Sequence, residues 1–114
     1  LENTNLHFKN IIYVEPQGYL CFLYLIKNAF VVITDSGGIS EETTVLDIPC
    51  FTLRENTERP ETITLGTNIL VGNSIDKLKN AYDLFLKNGS KKSSIPELWD
   101  GKASERIISI LLDK

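Results

Sequence analysis

Residues 30–38 constrain the fold more than any other stretch. Phe30-Val31-Val32-Ile33-Thr34 is a continuous, mostly β-branched run that leads without interruption into Asp35-Ser36-Gly37-Gly38, and helical spacing resumes at Ile39. A strand that is apolar at successive positions is one covered on both faces, as strands of parallel sheets are. The run therefore reads as a central strand followed by a glycine turn and a helix from Ile39 to about Leu46, ending before Pro49. The pattern recurs: Cys50-Phe51-Thr52-Leu53 and Thr67-Asn68-Ile69-Leu70-Val71 are strands, and a helix follows the second. Strands alternating with helical segments specify an α/β fold with a parallel sheet and flanking helices.

The remaining elements fit this plan. Ile11-Ile12-Tyr13-Val14 reads as a first strand, stopped by Pro16 and Gly18. Tyr19 to Lys27 is apolar nearly all round, which indicates a largely buried helix. Gly72-Asn73-Ser74 caps a helix whose stripe is Ile75, Leu78, Tyr82 and Phe85, closed by Asn88-Gly89. Residues 89–99, rich in Lys, Ser and Gly at their start, are expected to be a mobile surface loop. A last helix runs from about Ser104 to Leu112, with Ile107, Ile108, Leu111 and Leu112 on one side.

With 114 residues the chain is one domain's worth of sequence, large enough for a core and small for a complete nucleotide-using enzyme. It contains no methionine and opens on Leu1, so it is expected to be a piece of something longer. Fifteen acidic against twelve basic residues, spread along the chain, leave no basic stripe for a nucleic acid. The longest apolar run, Tyr19 to Ile26, is too short to span a bilayer, so no membrane association is expected. Cys21 and Cys50 lie in apolar runs without CxxC spacing and read as two buried free thiols, suited to a reducing cytoplasm. His7 is the only histidine and reads as a surface residue, so neither a His-rich metal site nor a Ser-His-Asp triad is expected.

Chemistry is expected at the carboxyl ends of the strands, where loops and helix N-termini converge. Gly37 and Gly38 let a ligand approach the backbone, the first-turn N–H groups point outward, and Ser36 adds a hydroxyl, a combination suited to phosphate or pyrophosphate. Taken alone, the same residues also describe a tight turn with Ser36 or Asp35 as N-cap. Glu41 and Glu42 project about 100° apart on a helix, so at most one faces a ligand; its task would be to accept hydrogen bonds from ribose hydroxyls. Two of the three arginines, Arg54 and Arg59, lie in the next strand-end loop, facing either an anion or the neighbouring glutamates. Gln17 and Phe22 offer an amide and an aromatic face that suit a planar base, while Phe22 equally suits the core.

Together these residues resemble the C-terminal domain of the non-hydrolysing UDP-N-acetylglucosamine 2-epimerases. Asp35-Ser36-Gly37-Gly38-Ile39-Ser40-Glu41-Glu42 matches the family's D-S-G-G-I-x-E-E, and residues 54–61 match its R-x-x-T-E-R-P-E at the same separation. Glu15, Pro16, Tyr19 and Phe22 match E-P-x-x-Y-x-x-F, Gly66 to Gly72 match G-T-x-x-L-V-G, and Asp100 to Ile107 match D-G-x-A-S-x-R-I.

The resemblance implies a Rossmann-like domain, the C-terminal half of a glycosyltransferase-B-type two-domain fold, here missing its first strands. It implies that Ser36, Gly37 and Gly38 hold the UDP pyrophosphate, Glu42 the ribose, and Gln17 and Phe22 the uracil, with Arg59 facing the phosphate or sugar from across the cleft. The implied parent is a homodimeric cytoplasmic enzyme of cell-envelope polysaccharide synthesis. It interconverts UDP-GlcNAc and UDP-ManNAc by eliminating and re-adding UDP, without a metal or nicotinamide cofactor. The implied partners of this piece are UDP-GlcNAc or UDP and the parent's N-terminal domain.

The departures are specific. The family's catalytic acids belong to its N-terminal domain, and neither they nor its H-R-x-E-N element occur here, so no catalytic residue is assigned and the isolated chain is expected to be inactive. Residues 43–49 read T-T-V-L-D-I-P where the family favours small residues and G-K-P, as in a distant member. Without the domain's opening units, the strand at Ile11 loses its usual neighbours, leaving either an altered strand order or an exposed edge. A UDP-sugar-binding module of a related glycosyltransferase-like protein and a ligand-free structural domain are the competing readings.

Overall fold

The computed structural model describes residues 8–113; His7 lies outside them. The elements in chain order are α1 (Tyr19–Lys27), β1 (Val32–Thr34), α2 (Gly37–Leu46), β2 (Cys50–Thr52), α3 (Glu61–Thr64), β3 (Asn68–Leu70), α4 (Ile75–Asn88) and α5 (Ala103–Leu112). The strands form one parallel sheet in the order β1-β2-β3. Val32, Cys50 and Asn68 share one register row, and Ile33, Phe51 and Ile69 the next. Because the strands are parallel, all three carboxyl ends open on one edge of the sheet.

Phe51 on the middle strand is 1% exposed and anchors the core. Its ring meets Phe85 of α4 edge-on at 6.1 Å, and Phe85 in turn packs on Phe30 at 5.0 Å. The other face of the sheet is sealed by small polar side chains. Ser40, Thr43 and Thr44 of α2 are fully or almost fully buried. Thr43 and Thr44 return their hydroxyls to the Ser40 carbonyl, so they fill the interface without leaving unpaired donors. This close approach requires glycine at 66, where a Cβ would fall 2.3 Å from Thr44 Oγ1 and 2.6 Å from the Thr62 carbonyl. The departures at 43–44 are therefore packed residues of the α2 interface.

Four expectations are corrected. Ile11–Val14 forms no strand and is exposed along its length, because no strand lies beside it among the described residues. The strand ending at Thr34 is an edge strand, not a central one, for the same reason. The α1 helix is not buried: Ile26 is its only buried residue, while Tyr19, Leu20, Tyr24 and Leu25 are exposed, and Cys21 is an exposed free thiol where a buried one is expected. Cys50 is buried, and burial pushes its thiol above the ordinary value.

The connection 89–99 is fastened to the body. Lys91 Nζ donates to the carbonyls of Ile63 and Asn68, both at 2.6 Å, and the Ser94 N–H donates to the Leu65 carbonyl at 2.7 Å. Burial lowers the Lys91 pKa, and the two carbonyls are the groups that compensate its charge. At the end of this connection, Arg106 of α5 makes two 3.0 Å bonds to the Asp100 carboxylate and a third to the Leu98 carbonyl. Asp100 also accepts from the Lys102 N–H, so the D-G-x-A-S-x-R element closes its own turn. No described helix is long and apolar enough to cross a membrane.

Candidate functional site

The site is built where β1 and β2 end. Ser36 is the N-cap of α2, yet its side chain makes no cap hydrogen bond, and the next two helical residues are Gly37 and Gly38. The Ser36 N–H is taken by Thr34 Oγ1 at 3.1 Å, which fixes the turn from β1 into the helix. Nothing lies within 4 Å of a Cβ built on Gly37, and only Ser36 Oγ, at 3.9 Å, approaches one on Gly38. The glycines here hold open space in front of the positive end of a helix.

Arg54 and Arg59 reach the same space from the loop after β2. With Gly37, Gly38, Glu41, Thr57 and Glu58 they line a cavity of about 110 Å³, room for a small anion. Arg59 donates through Nε to Glu41 Oε1. That bond, and then the carboxylate's charge, hold the guanidinium above its ordinary pKa. One of the two cations is thus paired with a carboxylate of α2.

A buried polar chain sets where Arg59 sits. Thr52 Oγ1 of β2 donates to Asn68 Oδ1 of β3, Asn68 Nδ2 donates to Thr62 Oγ1 at 3.2 Å, and Thr62 Oγ1 donates to the Arg59 carbonyl at 2.7 Å. Asn68 and Thr62 are wholly buried. The sheet interior is therefore wired to the loop that carries Arg59, a role that strand patterning alone does not reveal.

Beyond Arg59 lies a larger cleft of about 660 Å³ lined by Tyr19, Leu23, Glu41, Glu42, Val45, Leu46, Arg59, Glu61 and Trp99. Glu41 and Arg59 line both cavities, which are therefore adjacent. The structure thus places Gly37 and Gly38 on the smaller cavity, Glu42 on the cleft and Arg59 on both, with Ser36 immediately before Gly37. Gln17 and Phe22 line neither cavity. Gln17 donates from Nε2 to the Glu15 carbonyl at 2.7 Å and faces a separate groove on α1 with Cys21 and Tyr24. Phe22 is 38% exposed on α1. Trp99 is an addition that the sequence does not place; its one signal is that it is the chain's sole tryptophan.

This arrangement is a Rossmann-like α/β unit of the kind that forms the C-terminal half of glycosyltransferase-B-type proteins, with its ligand-facing edge at the strand ends. The family model described as UDP-N-acetylglucosamine 2-epimerase matches residues 1–112, and the chain belongs to that family. A UDP-N-acetylglucosamine 2-epimerase of Methanocaldococcus jannaschii is 50% identical over 103 residues, covering 90% of this chain and 28% of the relative. That is closer than the departures at 43–49 imply. The crystal structure of the Methanocaldococcus jannaschii UDP-GlcNAc 2-epimerase in complex with UDP-GlcNAc and UDP superposes with a TM-score of 0.74 at 48% identity, covering 89% of this chain and 27% of that one. The UDP-GlcNAc 2-epimerase of Neisseria meningitidis bound to UDP-GlcNAc superposes at 0.80 with 34% identity, covering 89% and 28%. The chain spans less than a third of the length of the relatives it matches.

Proposed function

We propose that this chain is the UDP-binding part of a UDP-N-acetylglucosamine 2-epimerase, and that the complete enzyme interconverts UDP-GlcNAc and UDP-ManNAc by eliminating and re-adding UDP. The observation that carries the reading is the open space in front of the Gly37 and Gly38 amides, flanked by Arg54 and Arg59 and adjacent to the cleft that Glu42 lines. Outward amides and guanidinium groups match pyrophosphate oxygens. Glu42, displaced along α2, accepts from ribose hydroxyls. Ser36, free of any cap bond, donates to a phosphate oxygen. The uracil is assigned to Gln17 and Phe22 on the motif alone.

The catalytic groups belong to the remainder of the enzyme, so the chain by itself binds UDP weakly and turns over nothing. The complete protein is proposed to be a cytoplasmic homodimer whose N-terminal domain closes on the nucleotide, serving cell-envelope polysaccharide synthesis. The experiment is a UDP titration of labelled chain followed by amide NMR, paired with an assay of UDP-GlcNAc epimerisation. Shifts at residues 36–42 with no turnover support the reading. Turnover by the chain alone contradicts the division of labour.

A further inference from the structure

We propose that Lys91, in the connection after α4, is a positioning residue for Arg59, an inference that rests on the nucleotide reading of the pocket Arg59 lines: its ammonium fixes the far end of α3, and with it the arginine just ahead of that helix. A single turn such as α3 (Glu61–Thr64) is too short to hold itself in water, so its direction is set by what grips it. At its start the Arg59 carbonyl accepts from the Thr62 N–H at 3.1 Å and from the Thr62 hydroxyl at 2.7 Å. At its other end the Ile63 carbonyl is one of those a helix leaves without an internal partner, and Lys91 Nζ donates to it at 2.6 Å.

Asn68 joins the two grips. The Cys50 N–H donates to the Thr67 carbonyl and the Val71 N–H to the Thr52 carbonyl, so alternation along β3 turns the Asn68 carbonyl away from β2. There Lys91 Nζ meets it at 2.6 Å, while Asn68 Nδ2 donates to Thr62 Oγ1 at 3.2 Å on the inner side. One residue of the sheet thus touches both the clamp at Lys91 and the hydroxyl that holds Arg59. By bridging the last turn of α3 and the outer edge of β3, a single ammonium fixes the angle between them, which an apolar side chain of similar length cannot do. The turn between them has little slack of its own. A Cβ at Gly66 would fall 2.6 Å from the Thr62 carbonyl, and the Ser94 N–H holds the Leu65 carbonyl at 2.7 Å.

The test follows labelled chain by NMR, at the backbone amides and at the Arg59 Nε–H that donates to Glu41, before and during titration with UDP. The variants are Lys91→Met, Lys91→Arg, Arg59→Ala and the double substitution Lys91→Met with Arg59→Ala. In Lys91→Met the Thr62 and Arg59 amides and the Arg59 Nε–H are expected to shift before UDP is added, and the UDP dissociation constant to rise about five-fold, the scale of one hydrogen bond. Lys91→Arg, which keeps a cation with several donors, is expected to restore most of the affinity. In the Arg59→Ala background Lys91→Met is expected to weaken binding no further. If Lys91→Met does not fold, Lys91→Gln, which still donates to one carbonyl, is read in its place. Unchanged Arg59 signals overturn the proposal, as does an equal five-fold loss in the Arg59→Ala background, because Lys91 then holds the fold and not the arginine. An unsubstituted chain that binds no UDP contradicts the nucleotide reading instead, and the Arg59 signals still decide whether Lys91 positions that residue.

Discussion

Arg59 donates through Nε to Glu41, joining the loop after β2 to α2 in the wall of the cavity that Gly37 and Gly38 also line. On the proposed function, a nucleotide phosphate in this pocket would compete with that carboxylate for the same guanidinium. Glu41→Gln is therefore expected to tighten UDP binding several-fold, and Arg59→Ala to weaken it by roughly tenfold, the scale of one charge-assisted hydrogen bond. Isothermal titration with UDP measures both. Equal weakening by the two substitutions would mean that the pair acts as a structural unit.

Asn68 bridges Thr52 and Thr62 in the sheet interior. Asn68→Leu keeps the branched outline but adds volume at a fully buried position, leaves the Thr52 hydroxyl without its acceptor and takes a donor from Thr62, so a loss of about 2–4 kcal/mol is expected in denaturant unfolding. Because Thr62 holds the Arg59 carbonyl, the folded fraction of the variant is also expected to bind UDP more weakly.

Asp47 ends α2 in the left-handed region at φ 57°. The family's preference for glycine at this position has its physical reason here. Asp47→Gly is expected to be more stable than Asp47→Ala by about 1 kcal/mol, read from thermal unfolding, although glycine loosens the unfolded chain. The exposed contact to Ser93 is lost in both variants, so the comparison isolates the backbone.

The pH dependence follows from Asp100. The hydrogen bonds from Arg106, and then the Lys102 N–H, lower its pKa from 3.8 to about 2. A carboxylate depressed on folding contributes stability that is present above its unfolded pKa and lost as pH falls from about 4 towards 2. Carboxyl-carbon NMR is expected to find Asp100 titrating near 2. In Arg106→Gln the midpoint should return towards the ordinary value of about 4.

Local signals account for what the sequence made legible. The strands at 50–52 and 68–70 and the helix at 75–88 are set by β-branched runs, Ser74 as a cap and a clean apolar stripe. The Ser36-Gly37-Gly38 turn was legible because paired glycines directly after a β-branched run mark a tight strand-to-helix turn. Burial of α1 was not, because an all-round apolar helix looks the same whether or not anything covers it. The segment at Ile11 has strand propensity, but pairing depends on a neighbour elsewhere in the chain. Trp99 reaches the cleft through a turn in which Leu98 takes φ 69° and Arg106 clamps Asp100, a geometry no periodicity encodes. Gln17 and Phe22, paired by motif, lie on α1 and its approach, apart from both cavities.

The start of α2 is proposed to be a pyrophosphate site. Titrating UDP into labelled chain while following backbone amides tests it most directly. Saturable shifts are expected, centred on Ser36, Gly37 and Gly38, extending to Glu42 and the Arg54 and Arg59 amides, and reduced in Arg59→Ala. Unmoved Gly37 and Gly38 amides at saturating UDP would contradict it.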